Sequence, residues 1–171
     1  GLYEYEVEAE FMHEFRRHDA TWSYVPIVGS GANACTLHYV DNNAQLAAGD
    51  LLLIDAGCEY DYYASDITRT LPVSGRFSAE QRAVYEIVLE AQLAAIAKTC
   101  KGNHWNDPHD AAVRVITAGL KKIGLLDGSL RRLIQDGAYR KYFMHRTGHW
   151  IGMDVHDVGD YKGGDEWRIL E

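Results

Sequence analysis

A chain of 171 residues has the length of one compact domain, and its 25 acidic against 17 basic residues leave a net charge of −8. That balance argues against a nucleic-acid surface or an anionic membrane as partner, because both attract basic patches. No apolar run has the length of a transmembrane helix and no secretory leader is evident; three cysteines without a C-x-x-C pair (Cys35, Cys58, Cys100) point to buried thiols in a reducing, cytoplasmic setting.

The first eighteen residues place Val7, Phe11 and Phe15 at i, i+4 and i+8, which predicts a helix ending near His18. The stretch "WSYVPIVGSGANACTLHYV" predicts a strand, a Gly-rich loop at Gly29–Gly31 and a second strand over residues 36–40. Asp41, Asn42 and Asn43 make a turn. The aliphatic run from Leu51 to Asp55 predicts a strand buried on both faces, and residues 59–64 and 67–73 read as further strands. Ser78 and Gln81 form a capping box for a helix whose stripe is Val84, Val88, Ala91 and Ala95. Asp107, as cap, and Pro108 open another helix, with Val113, Ile116, Leu120 and Ile123 facing the core and Gly124 as stop; a short helix follows near residues 129–135. The tail is Gly-punctuated strand and loop. These elements predict an α+β fold, with helices packed on one face of a mainly antiparallel sheet.

Chemistry concentrates in two places. Asp55 closes the aliphatic run, and Asp66 follows eleven residues later. A buried carboxylate must be paired, protonated or metal-bound. One reading is a salt bridge to Arg69, or an exposed strand end. The other is a shared hard cation such as Mn²⁺, because two converging carboxylates otherwise repel. His145, His149 and His156 fall within twelve residues, among glycines and beside Trp150 and Met153. "HRTGH" lacks the Glu of a helical zinc motif, and Gly148 weakens a helix there. His38 is either a fourth site residue or an ordinary strand residue. His13, His18, His104 and His109 read as solvated or capping residues. No nucleophile elbow or phosphate-binding loop is present.

Three stretches carry a family resemblance: "VGSGANACTLHY", "LLLIDAGCEYDYYASDITRTLPVSGRFSAEQRAVYEIVLEAQ" and "GHWIGMDVHDVGDY". In that order they resemble the signatures of the aminopeptidase P (Xaa-Pro aminopeptidase) family, within the methionine-aminopeptidase and prolidase superfamily. The resemblance implies the pita-bread α+β fold and a site for two divalent ions, commonly Mn²⁺. It implies Asp55, Asp66 and His149 as metal ligands. It implies His38, His145 and His156 as residues that line the substrate site, orient the peptide and stabilise developing charge. The implied reaction is release of the N-terminal residue from a peptide with proline second.

The family pattern has five ligands, and three are matched; the other two are glutamates beyond the histidine motif, and Glu171 matches neither. Residues 1–171 are therefore expected to form part of a metallopeptidase catalytic domain, incomplete at its C-terminal side and without turnover by itself. An unpaired sheet edge would make such a piece self-associate or form a homo-oligomer. A prolidase acting on Xaa-Pro dipeptides, and a non-catalytic peptide-binding module of the same fold, are the competing expectations.

Overall fold

The computed structural model describes residues 1–171, which divide into two compact units. The first comprises residues 1–78 and 149–158; the second comprises residues 79–148 and 159–171.

The first unit begins with helix α1 (Glu4–Arg17). Strands β1 (Thr21–Trp22) and β2 (Ile27–Ser30) follow, then a 3-10 turn over Gly31–Cys35. Four more strands complete it: β3 (Leu51–Ala56), β4 (Cys58–Tyr60), β5 (Tyr63–Ala64) and β6 (Ile67–Pro72). All pairings are antiparallel, in two three-stranded sheets ordered β2-β3-β6 and β1-β4-β5. Val7, Phe11 and Phe15 of α1 pack on Val28, Leu52, Ile54 and Ala56, so the predicted helical stripe is the one that covers the sheet.

Only one face of that sheet is covered in this way, which corrects the expectation for Leu51–Asp55. Burial along β3 alternates, with Leu52, Ile54 and Ala56 buried and Leu51, Leu53 and Asp55 partly open. The period-2 geometry of a strand sends Asp55 to the face opposite the core, so no charge enters the apolar layer.

Two other strand expectations are corrected. Residues 36–40 form no strand; His38 adopts a left-handed conformation (φ 55°), which breaks extended pairing. Residues 59–64 are two short strands, because Asp61 and Tyr62 (φ 49° and 69°) make a hairpin turn between them.

The second unit holds α2 (Ala79–Lys98), α3 (Asp107–Lys122), α4 (Leu130–Gln135), a 3-10 turn at Ala138–Lys141, and the two-stranded ribbon β7 (Lys162–Gly163) and β8 (Glu166–Trp167). Its core joins Ala91 and Ala95 of α2 to Ala112, Val113, Ile116 and Leu120 of α3 and to Tyr139. Val84 and Val88 lie outside that core, 45% and 53% exposed, so the α2 stripe is shorter than predicted. Gly119 lets α2 approach, since a Cβ there would sit 2.4 Å from Ile87 Cγ2. The α3 cap is Asn106, one residue earlier than expected. Ser129 caps α4, as its side chain accepts from Arg132 N–H. The cysteines are corrected too: Cys35 and Cys100 are exposed and Cys58 partly so, all three free. No helix is long and apolar enough to cross a membrane.

Candidate active site

Asp55 sits near the end of the central strand, opposite Ile27 on β2 and Thr68 on β6. Asp66 immediately precedes β6, and its backbone is fixed by a compact hydrogen-bonded corner. Ser65 N–H donates to Cys58 O, Ser65 Oγ accepts from Cys58 N–H, and Ser23 Oγ donates to Ser65 O. Gly57 is obligatory in that corner: an added Cβ would lie 1.7 Å from Ser65 O. Sheet register and corner together bring the two carboxylates to one point.

That point is marked by Tyr24, a residue sequence reasoning missed. Its hydroxyl lies 2.6 Å from Asp55 Oδ1 and 3.0 Å from Asp66 Oδ1. The two carboxylate oxygens are therefore no farther apart than those two distances laid end to end. Burial, then hydrogen bonding to Asp55 and the charges of both aspartates, pushes the phenol far above its ordinary pKa. The phenol stays protonated, and one hydrogen faces two anionic acceptors. No local pattern in "WSYVP" signals this, since the partners lie 31 and 42 residues away.

His149 completes the arrangement. Its Nδ1 is 2.8 Å from Trp150 O, and its Nε2 is 3.0 Å from Asp66 Oδ2. A carbonyl oxygen only accepts, so Nδ1 carries a hydrogen, and Nε2 is the nitrogen turned towards the Asp66 carboxylate. That nitrogen and the Asp66 carboxylate, at side chains only 29% and 25% exposed, need a proton or a cation between them. A histidine that donates one ring N–H to a backbone carbonyl and offers the other nitrogen is the usual metal-ligand arrangement. The donor set of two carboxylates and one imidazole thus fits a divalent cation of the borderline or hard kind. The fit is one of donor type: as the side chains stand, no group of three or more His, Cys, Asp or Glu is arranged to hold a metal ion.

The segment carrying His149 is held by its own turns and by the sheet. Ala64 N–H donates to Gly152 O, Asp157 N–H donates to Trp150 O, and Asp157 accepts from Met153 N–H and Val158 N–H. The His156 ring lies edge-on to the His149 ring, centroids 4.4 Å apart. The structure therefore brings together Asp55, Asp66, His149 and His156. His38 is exposed in its own loop of the same unit, and His145 is an exposed residue of the second unit. Arg69 does not form the salt bridge considered for the aspartates; it donates to Thr68 O. His109 is less solvated than expected. It bonds Thr147 Oγ1 at 2.7 Å and stacks on Phe143, and burial followed by nearby Arg146 lowers its pKa.

Residues 1–171 match Metallopeptidase family M24 over their whole length, and the chain belongs to that family. Within it the likeness is to aminopeptidase P. The Xaa-Pro aminopeptidase of Haemophilus influenzae is 52% identical over 170 residues, covering 99% of this chain and 39% of that protein. The solved structure of Pseudomonas aeruginosa aminopeptidase PepP matches with a TM-score of 0.98 at 59% identity, covering 100% of this chain and 39% of that one. Zinc-substituted Escherichia coli aminopeptidase P in complex with product matches with a TM-score of 0.96 at 49% identity, with the same coverage. The chain thus spans about 39% of the length of these relatives, and its fold is that of the corresponding part of aminopeptidase P, an α+β pita-bread fragment.

Proposed function

We propose that these residues are part of the catalytic domain of a metalloaminopeptidase that releases the N-terminal residue from peptides with proline in second position. The observation that carries the reading is the contact of His149 Nε2 with Asp66 Oδ2, while Tyr24 holds Asp66 against Asp55. Asp55, Asp66 and His149 would hold divalent metal, two ions in the complete site and Mn²⁺ by preference, since carboxylate-rich sites suit that ion. When bound, such ions supply a hydroxide near neutral pH and polarise the scissile carbonyl.

The chain's own residues do the rest. Tyr24 keeps the two aspartates together and stays protonated beside them. Trp150 O fixes the His149 tautomer, leaving Nε2 as the donor atom. His156, packed on His149, and with it His38 and His145, serve to orient the peptide and to donate to the oxygen that gains charge. Proline nitrogen in a peptide carries no hydrogen, so the second residue has to be read by ring shape. Free, partly exposed thiols agree with a cytoplasmic protein, and exposed Leu93 and Ile96 on α2 agree with self-association.

The test is a substrate series on the full-length protein with Mn²⁺: an Xaa-Pro dipeptide, an Xaa-Pro-Xaa tripeptide and an Xaa-Ala-Xaa tripeptide. Cleavage of the proline tripeptide first supports the proposal. Cleavage of the dipeptide alone makes the protein a prolidase, and peptide binding without cleavage makes it a binding module.

A further inference from the structure

Glu4 is a charged side chain with no exposed surface, 0% by area, and no cation among its partners. Instead its carboxylate accepts four hydrogen bonds. Oε1 takes Ser30 N–H at 2.7 Å and Asn33 Nδ2 at 3.1 Å; Oε2 takes Tyr39 O–H at 2.7 Å and Ala44 N–H at 2.9 Å. The Glu4 N–H in turn donates to Ala44 O at 3.0 Å. A buried carboxylate satisfied wholly by neutral donors is costly to assemble and rigid once assembled. Its donors are two residues before His38 in the chain and two after it. The loop that carries His38 is thus closed on itself through one side chain of helix α1.

The loop has reason to be held. His38 is left-handed at φ 55° and Asn42 at φ 44°, conformations that persist in non-glycine residues when their surroundings determine them. Asn42 is the second brace. It is 1% exposed, accepts from Val28 N–H, and donates to Pro26 O and to Glu8 Oε2 of α1. Burial raises the Glu4 pKa, and hydrogen bonds from Tyr39, Ala44, Ser30 and Asn33 more than reverse this, so the group is ionised at neutral pH.

We propose that Glu4 is a positioning residue for His38: its carboxylate ties residues 30–44 to helix α1 and so sets where that imidazole is presented. The proposal rests on the reading of His38 as a substrate-site residue. Glu4 itself touches neither metal ligands nor substrate; it acts through the loop. A carboxamide has one acceptor oxygen where the carboxylate has two. Glu4→Gln therefore removes part of the tie without changing size. Tyr39→Phe removes one donor to Glu4, together with the bonds its hydroxyl accepts from Asn33 and Asn43, and guards against a Glu4 variant that fails to fold.

The experiment combines amide hydrogen exchange with steady-state kinetics on the full-length protein. In Glu4→Gln, and less in Tyr39→Phe, amides of residues 31–43 should exchange about tenfold faster, while those of β3 keep their protection. With a proline tripeptide, kcat should fall about tenfold with KM changed less than about twofold. In a His38→Ala background, Glu4→Gln should loosen the loop equally and lower kcat no further. Unchanged exchange in both variants overturns the tie. Loosened exchange with losses that multiply in the double variant overturns His38 as the group it serves. Unchanged kcat in His38→Ala overturns the active-site role of His38, whereas the exchange result still decides whether Glu4 holds the loop.

Discussion

Tyr24 Oη reaches Asp55 Oδ1 at 2.6 Å and Asp66 Oδ1 at 3.0 Å, so one phenol spans two carboxylates separated by eleven residues of chain. The hydroxyl relieves part of their repulsion and, under the proposed function, would orient both for a shared cation. Tyr24→Phe keeps the ring and removes the donor. Metal affinity, measured by calorimetric titration with Mn²⁺, should fall about tenfold or more, the usual effect of losing a group that orients metal ligands. Unchanged affinity would make Tyr24 a packing residue only.

Gly57 lets the Ser65 carbonyl pass where a side chain would stand. Gly57→Ala must displace Ser65 and, with it, Asp66. Urea unfolding should show a loss of about 3 kcal/mol, in the range of backbone clashes that cannot relax locally. Metal binding should weaken in parallel. A variant with full stability would mean the corner is softer than its hydrogen bonds indicate.

Glu4 gives the fold a defined acid sensitivity. Its folded pKa lies below the ordinary 4.5, the net result of burial raising it and four hydrogen bonds lowering it further. The unfolded state therefore takes up its proton first as pH falls. The stabilisation from ionised Glu4 is complete above pH 4.5 and is lost as pH drops through the lowered folded value. Denaturant unfolding from pH 7 to 3 should show this acid limb in the native protein and a shallower one in Glu4→Gln. At pH 7 the variant should already be less stable by about 1–3 kcal/mol, the cost of a buried donor left without its acceptor.

Much of this was legible in the residues. Val7, Phe11 and Phe15 announced α1, and the β-prone runs placed β3 and β6, whereas the one strand expected before Gly29 is two, β1 and β2, the second running through Gly29 and Ser30. Asp55, Asp66 and His149 were singled out and do converge. What stayed hidden was non-local. Continuous apolar sequence in Leu51–Ile54 gives no sign of which face a helix will cover, so the position of Asp55 on the open face was not readable. The β-prone composition of residues 36–40 lost to a side-chain network centred on Glu4, whose donors lie 26 to 40 residues away. Nothing in the sequence around Tyr24 sets it apart from the other tyrosines. A hairpin turn at Asp61–Tyr62 uses positive φ without glycine, which turn chemistry does not lead one to expect.

The account turns on Asp66 and His149 sharing a cation, and metal removal tests this most directly. The full-length protein is treated with a chelator, and release of the first residue from an Xaa-Pro-Xaa peptide is followed with and without added Mn²⁺, for the native chain and for Asp66→Asn. The native protein should lose activity with its metal and regain it with Mn²⁺, and Asp66→Asn should regain none. Cleavage that survives the chelator, or returns in Asp66→Asn, would contradict the account.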